Sequence, residues 1–193
     1  MLFRSPDPLF WLLTTIGCMP VFRPAEPADL DAVVELAAAT FPYSAPAGAD
    51  PENIAAHIDR YLSGEVFTGY LNNPAARLLL AEGPGGLQGY SLLLVEAPSD
   101  PEVAAAVQGR PTAELSKCYV RSECFGSGLA AELMRETLDR ARETGLASVW
   151  LGVSNVNERA KKFYRKHGFE AVGAKHFMFG GVAERDDVLE LGL

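Results

Sequence analysis

Between Val120 and a long amphipathic stretch lies Phe125-Gly126-Ser127-Gly128-Leu129-Ala130. Two glycines so spaced let successive backbone N–H groups turn the same way. A helix that begins here adds partial positive charge at its N-terminus. Together they make a place for an anion, typically a phosphate, and Ala130 leaves room where a larger side chain would meet the ligand. A Gly-x-Gly pair is equally at home in a plain turn, so the loop means more only in company. No Gly-Lys-Ser/Thr follows it, and the third glycine and ribose-binding acid of a dinucleotide site are missing. Upstream, a period of two places Glu114, Ser116, Cys118 and Val120 on one strand face. A carboxylate partly buried there has its pKa raised toward a range useful for general-base work. An exposed strand-start glutamate is the equal alternative. Phe163-Tyr164 is either a functional pair or an aromatic pair packing a helix on a sheet. His57, His167 and His176 have no partner close in sequence and read as surface or packed histidines; His176 is the one to inspect.

These groups need elements to hold them. Val21-Phe22-Arg23 predicts a first strand, and Pro27 to Leu30 opens a helix with Leu30, Val33, Val34 and Ala37 on one face. A loop rich in Pro, Gly and Ala follows from Pro42 to Asp50, then Pro51 starts a second helix. Leu78–Ala81 and Leu87–Val95 flank Gly83-Pro84-Gly85-Gly86 as a hairpin. Pro98–Pro111 is a long loop with a helical turn at Val103–Val107, and Glu114–Val120 is a strand. The glycine loop opens a helix from Gly126 to Thr144, which Gly145 ends. Ser148–Val153 is an apolar strand buried on both faces. Asn155–His167 is a helix with Asn155 and Glu158 spaced as a capping box and Gly168 as its stop. Phe169–Phe179 and Asp187–Leu191 close as strands. The expected fold class is α/β (α+β): a mixed central sheet with helices on both faces.

The 193 residues are 48% apolar and 22% charged, a balance that excludes a disordered chain and suits one domain with its own core. The net charge of −8 argues against a nucleic-acid partner, which would require a basic footprint. The first 112 residues hold 13 acidic and 5 basic side chains and carry all of that charge; the remainder hold 12 of each. Such asymmetry suits an anion in the second half and a cation drawn to the first. Cys18, Cys118 and Cys124 are too scattered for a disulfide framework or a metal site, so no metal is expected. No apolar run approaches the roughly 20 residues of a membrane span, so no membrane partner is expected. Residues 1–18 read as an N-terminal extension, disordered or preceding the true start at Met19, with a weak likeness to a lipoprotein signal ending at Cys18. Residues 19–193 then form the single domain.

With the glycine loop at fixed spacing stand Trp150-Leu151-Gly152-Val153, Asn157-Glu158-Arg159-Ala160, Phe163-Tyr164 and Gly168-Phe169. This set resembles the GNAT superfamily of acetyl-coenzyme A-dependent N-acyltransferases, in architecture from Val21 to Leu193 and in motif from Glu114 to Phe179. The resemblance implies that Gly126, Gly128 and Ala130 cradle the pyrophosphate through backbone N–H groups, with Ser127 and Leu129 beside them. It implies that Cys118, Tyr119 and Val120 pair main chain with the pantetheine amides. Asn157 would bond the pantetheine arm, with Ala160 and Phe163 on the same helix, and Tyr164 would protonate the leaving thiolate. Glu114 would be the base, directly or through water. Phe125 stands where such proteins usually carry Arg or Gln, Ser122 where they carry Pro, and Cys124 where they carry an aromatic residue. Glu123 brings a like charge toward the phosphates, and Arg121 is the residue to offset it.

The runs Gly173-Ala174-Lys175-His176-Phe177 and Asp186-Asp187 resemble the bacterial polyamine (spermidine and diamine) acetyltransferase branch. The expected reaction is acetyl transfer from acetyl-CoA to the primary amine of a small cationic metabolite. Acetylation of a protein N-terminus or lysine and a non-catalytic CoA-binding module stay open beside it. The scattered cysteine use is that of a cytoplasmic protein, and relatives of this kind often form homodimers.

Overall fold

The computed structural model describes residues 20–45, 48–179 and 182–193. The expectations for residues 1–18 lie outside the described residues.

Seven strands form one sheet: β1 (Val21–Pro24), β2 (Ala76–Gly83), β3 (Gly86–Leu94), β4 (Thr112–Val120), β5 (Ser148–Ser154), β6 (Glu170–Phe179) and β7 (Val182–Gly192). Their spatial order is β1-β2-β3-β4-β5-β7-β6. Every neighbouring pair is antiparallel except β4–β5. The helices are α1 (Leu30–Thr40), α2 (Pro51–Tyr61), α3 (Gly64–Asn72), α4 (Pro101–Ala106), α5 (Leu129–Glu143) and α6 (Glu158–Lys166).

The two faces of the sheet have separate cores. On one, Met134 and Leu138 of α5 and the aromatic pair of α6 pack against Leu93, Leu115, Val149, Leu151 and Leu189. On the other, α1 and α3 close over Leu80, Tyr90 and Leu92, and α4 sets Val103 against Trp150 and Val188. Helix α3 is absent from the sequence expectation. Gly64 and Gly69 lower its propensity, and the Ser63 side chain accepting from the Val66 N–H is its one local start signal. It forms because burying Phe67 completely outweighs that weakness.

The expected Pro98–Pro111 loop contains the short helix α4, capped by Asp100, whose carboxylate accepts from the Glu102 and Val103 N–H groups. The expected helix from Gly126 starts instead at Leu129, because Gly126 (φ 79°) and Gly128 (φ 95°) are left-handed and stay outside it. The expected capping box at Asn155 is overturned. The N-cap is Asn157, whose Oδ1 accepts from Ala160 N–H at 3.0 Å.

One irregularity decides the site. Leu92 pairs with Lys117 and Leu93 with Leu115, so Ser116 is an extra residue in β4. This β-bulge reverses the inside–outside alternation. Cys118 and Val120 pack on the α5 face with Leu115, whereas Glu114 shares the opposite face with Lys117 and Tyr119. The expectation that Glu114, Ser116, Cys118 and Val120 form one face is therefore wrong.

Candidate active site

Strands β4 and β5 pair only at Thr112–Ser148, Ala113–Val149 and Glu114–Trp150. A buried hydroxyl pair, Thr112 Oγ1 to Ser148 Oγ at 2.8 Å, pins them there. Beyond Glu114 they part, leaving the gap-side backbone of Leu115–Val120 without a strand to bond. A cavity of about 430 Å³ fills the parting and reaches both faces of the sheet.

On the α5–α6 face the cavity is lined by Cys118, Val120, Ala130, Asn157, Ala160, Phe163 and Tyr164. Burial pushes the Cys118 thiol up to about 12, so it is a packing group and not a nucleophile. Tyr164 stands with its ring edge-to-face on Phe163 (5.5 Å) and Phe169 (5.9 Å). Burial first, and then the neighbouring Cys118 and Tyr119, hold its phenol well above the usual range. The hydroxyl is therefore protonated at any physiological pH. Asn157 spends its oxygen on the helix cap, which leaves the amide NH₂ as its donor toward the cavity.

At the mouth is the glycine loop. Ser127 Oγ donates to Cys124 O (2.7 Å) and accepts from Leu129 N–H (3.2 Å), while Ser127 N–H goes to Cys124 O. Among the described residues the N–H groups of Gly126, Gly128 and Ala130 have no acceptor. These are the three donors the sequence assigns to a phosphate. Ser127 and Leu129 instead brace the loop, and the Leu129 side chain is in the core. The Arg121 guanidinium hydrogen-bonds Leu87 O (2.8 Å) and Glu35 (3.0 Å) and reaches Glu123 only through space, where its charge adds the smallest part of what holds that carboxyl below its usual value, after hydrogen bonds from its own backbone and from Ser122. The cation near the loop is Arg159, stacked 4.6 Å from the Phe125 ring centre, and Phe125 in turn sits edge-on to Tyr43.

On the opposite face charged and polar side chains join the lining beside the aromatic rings of Phe41, Tyr43, Tyr119 and Phe177. Glu114 is mostly buried, and that desolvation raises its carboxyl above the usual range despite the opposing charges of Lys175 and Lys117. Asp186 is raised in the same way. His57 stacks flat on Phe41 at 4.2 Å, and burial lowers its pKa, with Lys117 adding to the effect. His57 carried no sequence signal because Phe41 is distant along the chain. Lys175 and Asp186 enter the sequence reading only as parts of family-like runs, yet both line the cavity. His176 is outside the larger cavity, its ring and N–H clasped by Glu102 of α4 at 3.0 to 3.2 Å. His167 Nδ1 lies 2.9 Å from Phe163 O at the end of α6.

The acetyltransferase (GNAT) family model matches residues 30–169. The chain belongs to the GNAT acetyltransferase family. An uncharacterized N-acetyltransferase of Mycobacterium tuberculosis is 37% identical over 161 residues, 83% of this chain and 96% of the relative. The PaiA N-acetyltransferase of Thermoplasma acidophilum, solved in complex with coenzyme A, superposes with a TM-score of 0.72 at 20% identity, covering 90% of this chain and 99% of the other. The ribosomal-protein-S18-alanine N-acetyltransferase of Escherichia coli superposes at 0.66 with 17% identity, over 90% and 94% of the two chains. This GNAT chain is thus an acyltransferase with the GNAT fold, in agreement with the mixed sheet and flanking helices expected from sequence. Among the described residues no helix is long and apolar enough to cross a membrane.

Proposed function

We propose that this GNAT enzyme moves an acetyl group from acetyl-CoA to the primary amine of a small cationic metabolite, such as a polyamine, by direct transfer in a ternary complex. The carrying observation is the two-faced gap: a phenol that stays protonated lines one side, and a mostly buried carboxyl with a raised pKa lines the other. In this reading the pyrophosphate sits on the open N–H groups of Gly126, Gly128 and Ala130, with Arg159 nearby. The pantetheine lies along Leu115–Val120 and takes the place of the missing strand. The amine enters from the α1–α4 face, loses a proton to Glu114 directly or through water, and attacks the thioester carbon. The tetrahedral intermediate collapses, the C–S bond breaks, and Tyr164 donates to the departing sulfur. From ammonium to amide the nitrogen gives up two protons, one to Glu114 before attack and one from the tetrahedral intermediate through solvent. One of them replaces the proton that Tyr164 gives to the sulfur and the other is released, so the products are the amide, the CoA thiol and one proton.

Two observations support a cationic acceptor. Glu114, Glu184 and Asp186 line the acceptor end against Lys175, and the net charge of the chain is carried by its first 112 residues. The acetyltransferase unit is taken as residues 19–193 and works in the cytoplasm, where acetyl-CoA is made and used.

Release of CoA from acetyl-CoA, followed with a thiol reagent against spermidine, spermine, diamines, aminoglycosides, amino acids and a lysine peptide, tests the proposal. Turnover with polyamines is the expected result. Turnover with the peptide alone overturns the acceptor and keeps the chemistry. Binding of acetyl-CoA with no turnover of any amine favours the binding module.

A further inference from the structure

Lys175 is on β6, registered opposite Asp186 of β7. Its side chain reaches across β7 to the floor of the gap, above Gly152 of β5. A Cβ built on Gly152 would meet Lys175 Cε at 2.6 Å, Lys175 Nζ at 2.8 Å and Asp186 Oδ2 at 3.1 Å. The missing side chain at Gly152 is therefore the space that the lysine head occupies. The same Nζ lies 5.8 Å from the ring centre of Trp150, the residue registered against Glu114. Lys175 and Glu114 both line the larger cavity and a smaller one of about 200 Å³ beside it.

We infer that Lys175 is a positioning residue: its ammonium, seated over Gly152 between Glu114 and Asp186, keeps both carboxyls ionised at the acceptor end. The inference rests on Glu114 being the base proposed above. A base that is already protonated cannot accept the proton of an incoming ammonium, and burial drives both carboxyls toward protonation. The groups facing Glu114 are Lys175 of β6, Lys117 of β4, Tyr70 of α3 and Glu96 of the β3–α4 connection. Those facing Asp186 are Lys175, Glu184, Asp187 and Tyr119. Asp187 is itself turned to Arg185 and Lys161, so Lys175 is the cation that acts on both carboxyls of the gap. The neutralising charge thus comes from a strand that is not a neighbour of β4 in the sheet.

The test is the pH dependence of kcat/KM for Lys175→Met, Lys175→Arg and Gly152→Ala in the full chain. Removing a nearby opposite charge that acts through space, outside direct ion-pair contact, moves a carboxyl by up to about 1 pH unit. Lys175→Met should shift the acidic limb up by about that amount, a roughly tenfold loss on that limb, with little change at its alkaline plateau. Lys175→Arg should restore the limb. Gly152→Ala pushes the flexible lysine head aside without removing it and should reproduce part of the shift. An unmoved acidic limb in Lys175→Met, while Glu114→Gln abolishes that limb, overturns the inference and leaves the base in place. If Glu114→Gln keeps the limb, the base assignment fails, and a ¹³C carboxyl titration of Glu114 decides instead. An upward midpoint in Lys175→Met upholds the lysine's action on the carboxyl, and an unchanged one overturns it.

Discussion

Replacing Tyr164 with Phe removes one oxygen and little else. The ring keeps its contacts with Phe163 and Phe169, and the hydroxyl has no hydrogen-bond partner among the described residues. Thermal stability should therefore stay within about 0.5 kcal/mol of wild type, the range of changes that break no packed or bonded feature. The effect on rate can be bounded. A thiol has a reference pKa near 8.5, and a phenol near 10 or above gives up its proton to it uphill. Burial lifts this phenol further. Tyr164 then works mainly by donating a hydrogen bond to the sulfur as charge develops there. A hydrogen bond to a charged group is worth about 1.5–3 kcal/mol, which is roughly 10- to 150-fold in rate at 1.36 kcal/mol per decade. Steady-state kinetics with saturating acetyl-CoA should show a fall in kcat of that size, with KM for acetyl-CoA within about twofold. Because the phenol stays protonated throughout, the wild-type to variant ratio should be flat from pH 7 to 9. A variant with full kcat refutes the assignment. A ratio that collapses by pH 9 refutes the burial argument, since it would mean that the phenol titrates in this range.

Asn157→Ala should lose about 1 kcal/mol of stability with the cap and raise the KM for acetyl-CoA, whereas Asn157→Asp should keep the cap and still raise that KM, measured by melting and initial rates. Gly128→Ala meets no atom, so its cost is the left-handed backbone at φ 95°, about 1–2 kcal/mol, read as a lower melting temperature and weaker acetyl-CoA binding. The Asp186 carboxyl is raised, so the folded state holds its proton more tightly than the unfolded chain does; that stabilisation is present below the ordinary carboxylate range and is lost as pH rises through the folded value. Asp186→Asn should therefore raise the melting temperature at pH 8, and the gain should vanish near pH 4. With its thiol pushed up to about 12, Cys118 should resist iodoacetamide at pH 8 in the folded protein, as peptide mass mapping would show.

Local signals carried most of the elements. Apolar runs mark Leu78–Ala81 and Ser148–Val153, and Gly145 and Gly168, both left-handed, end α5 and α6 where the sequence places their stops. The open N–H groups of the glycine loop were legible because left-handed glycines before a helix leave such groups unpaired whatever the tertiary context. Asn157 entered the sequence reading as a ligand and not as a cap, since Asn155 with Glu158 fits the capping pattern as well. Helix α3 depends on the burial of Phe67, a tertiary gain that propensity does not contain. His57 and Lys175 could not be found locally: each takes its place from contacts with distant parts of the chain, Phe41 for one and Gly152 for the other.

The bulge at Ser116 is where strand periodicity fails and where the chemistry gains most. A regular β4 would put Glu114 on the same side as Cys118 and hence as Tyr164, so the proposed acid and base would crowd one face of the sheet. One extra residue turns Glu114 to the α1–α4 side and leaves the Leu115–Val120 backbone free along the gap. In the proposed mechanism a thioester lying in that gap has its sulfur toward the phenol and its carbonyl carbon open to an amine arriving from the other side. No side-chain pattern announces the extra residue, because Ser116 is tolerated at either orientation and the register is set by β3 pairing with both halves of β4. Deleting Ser116 should restore strict alternation and carry the carboxyl away from the acceptor end. If the chain still folds, acetyl-CoA should bind and the amine should fail to react.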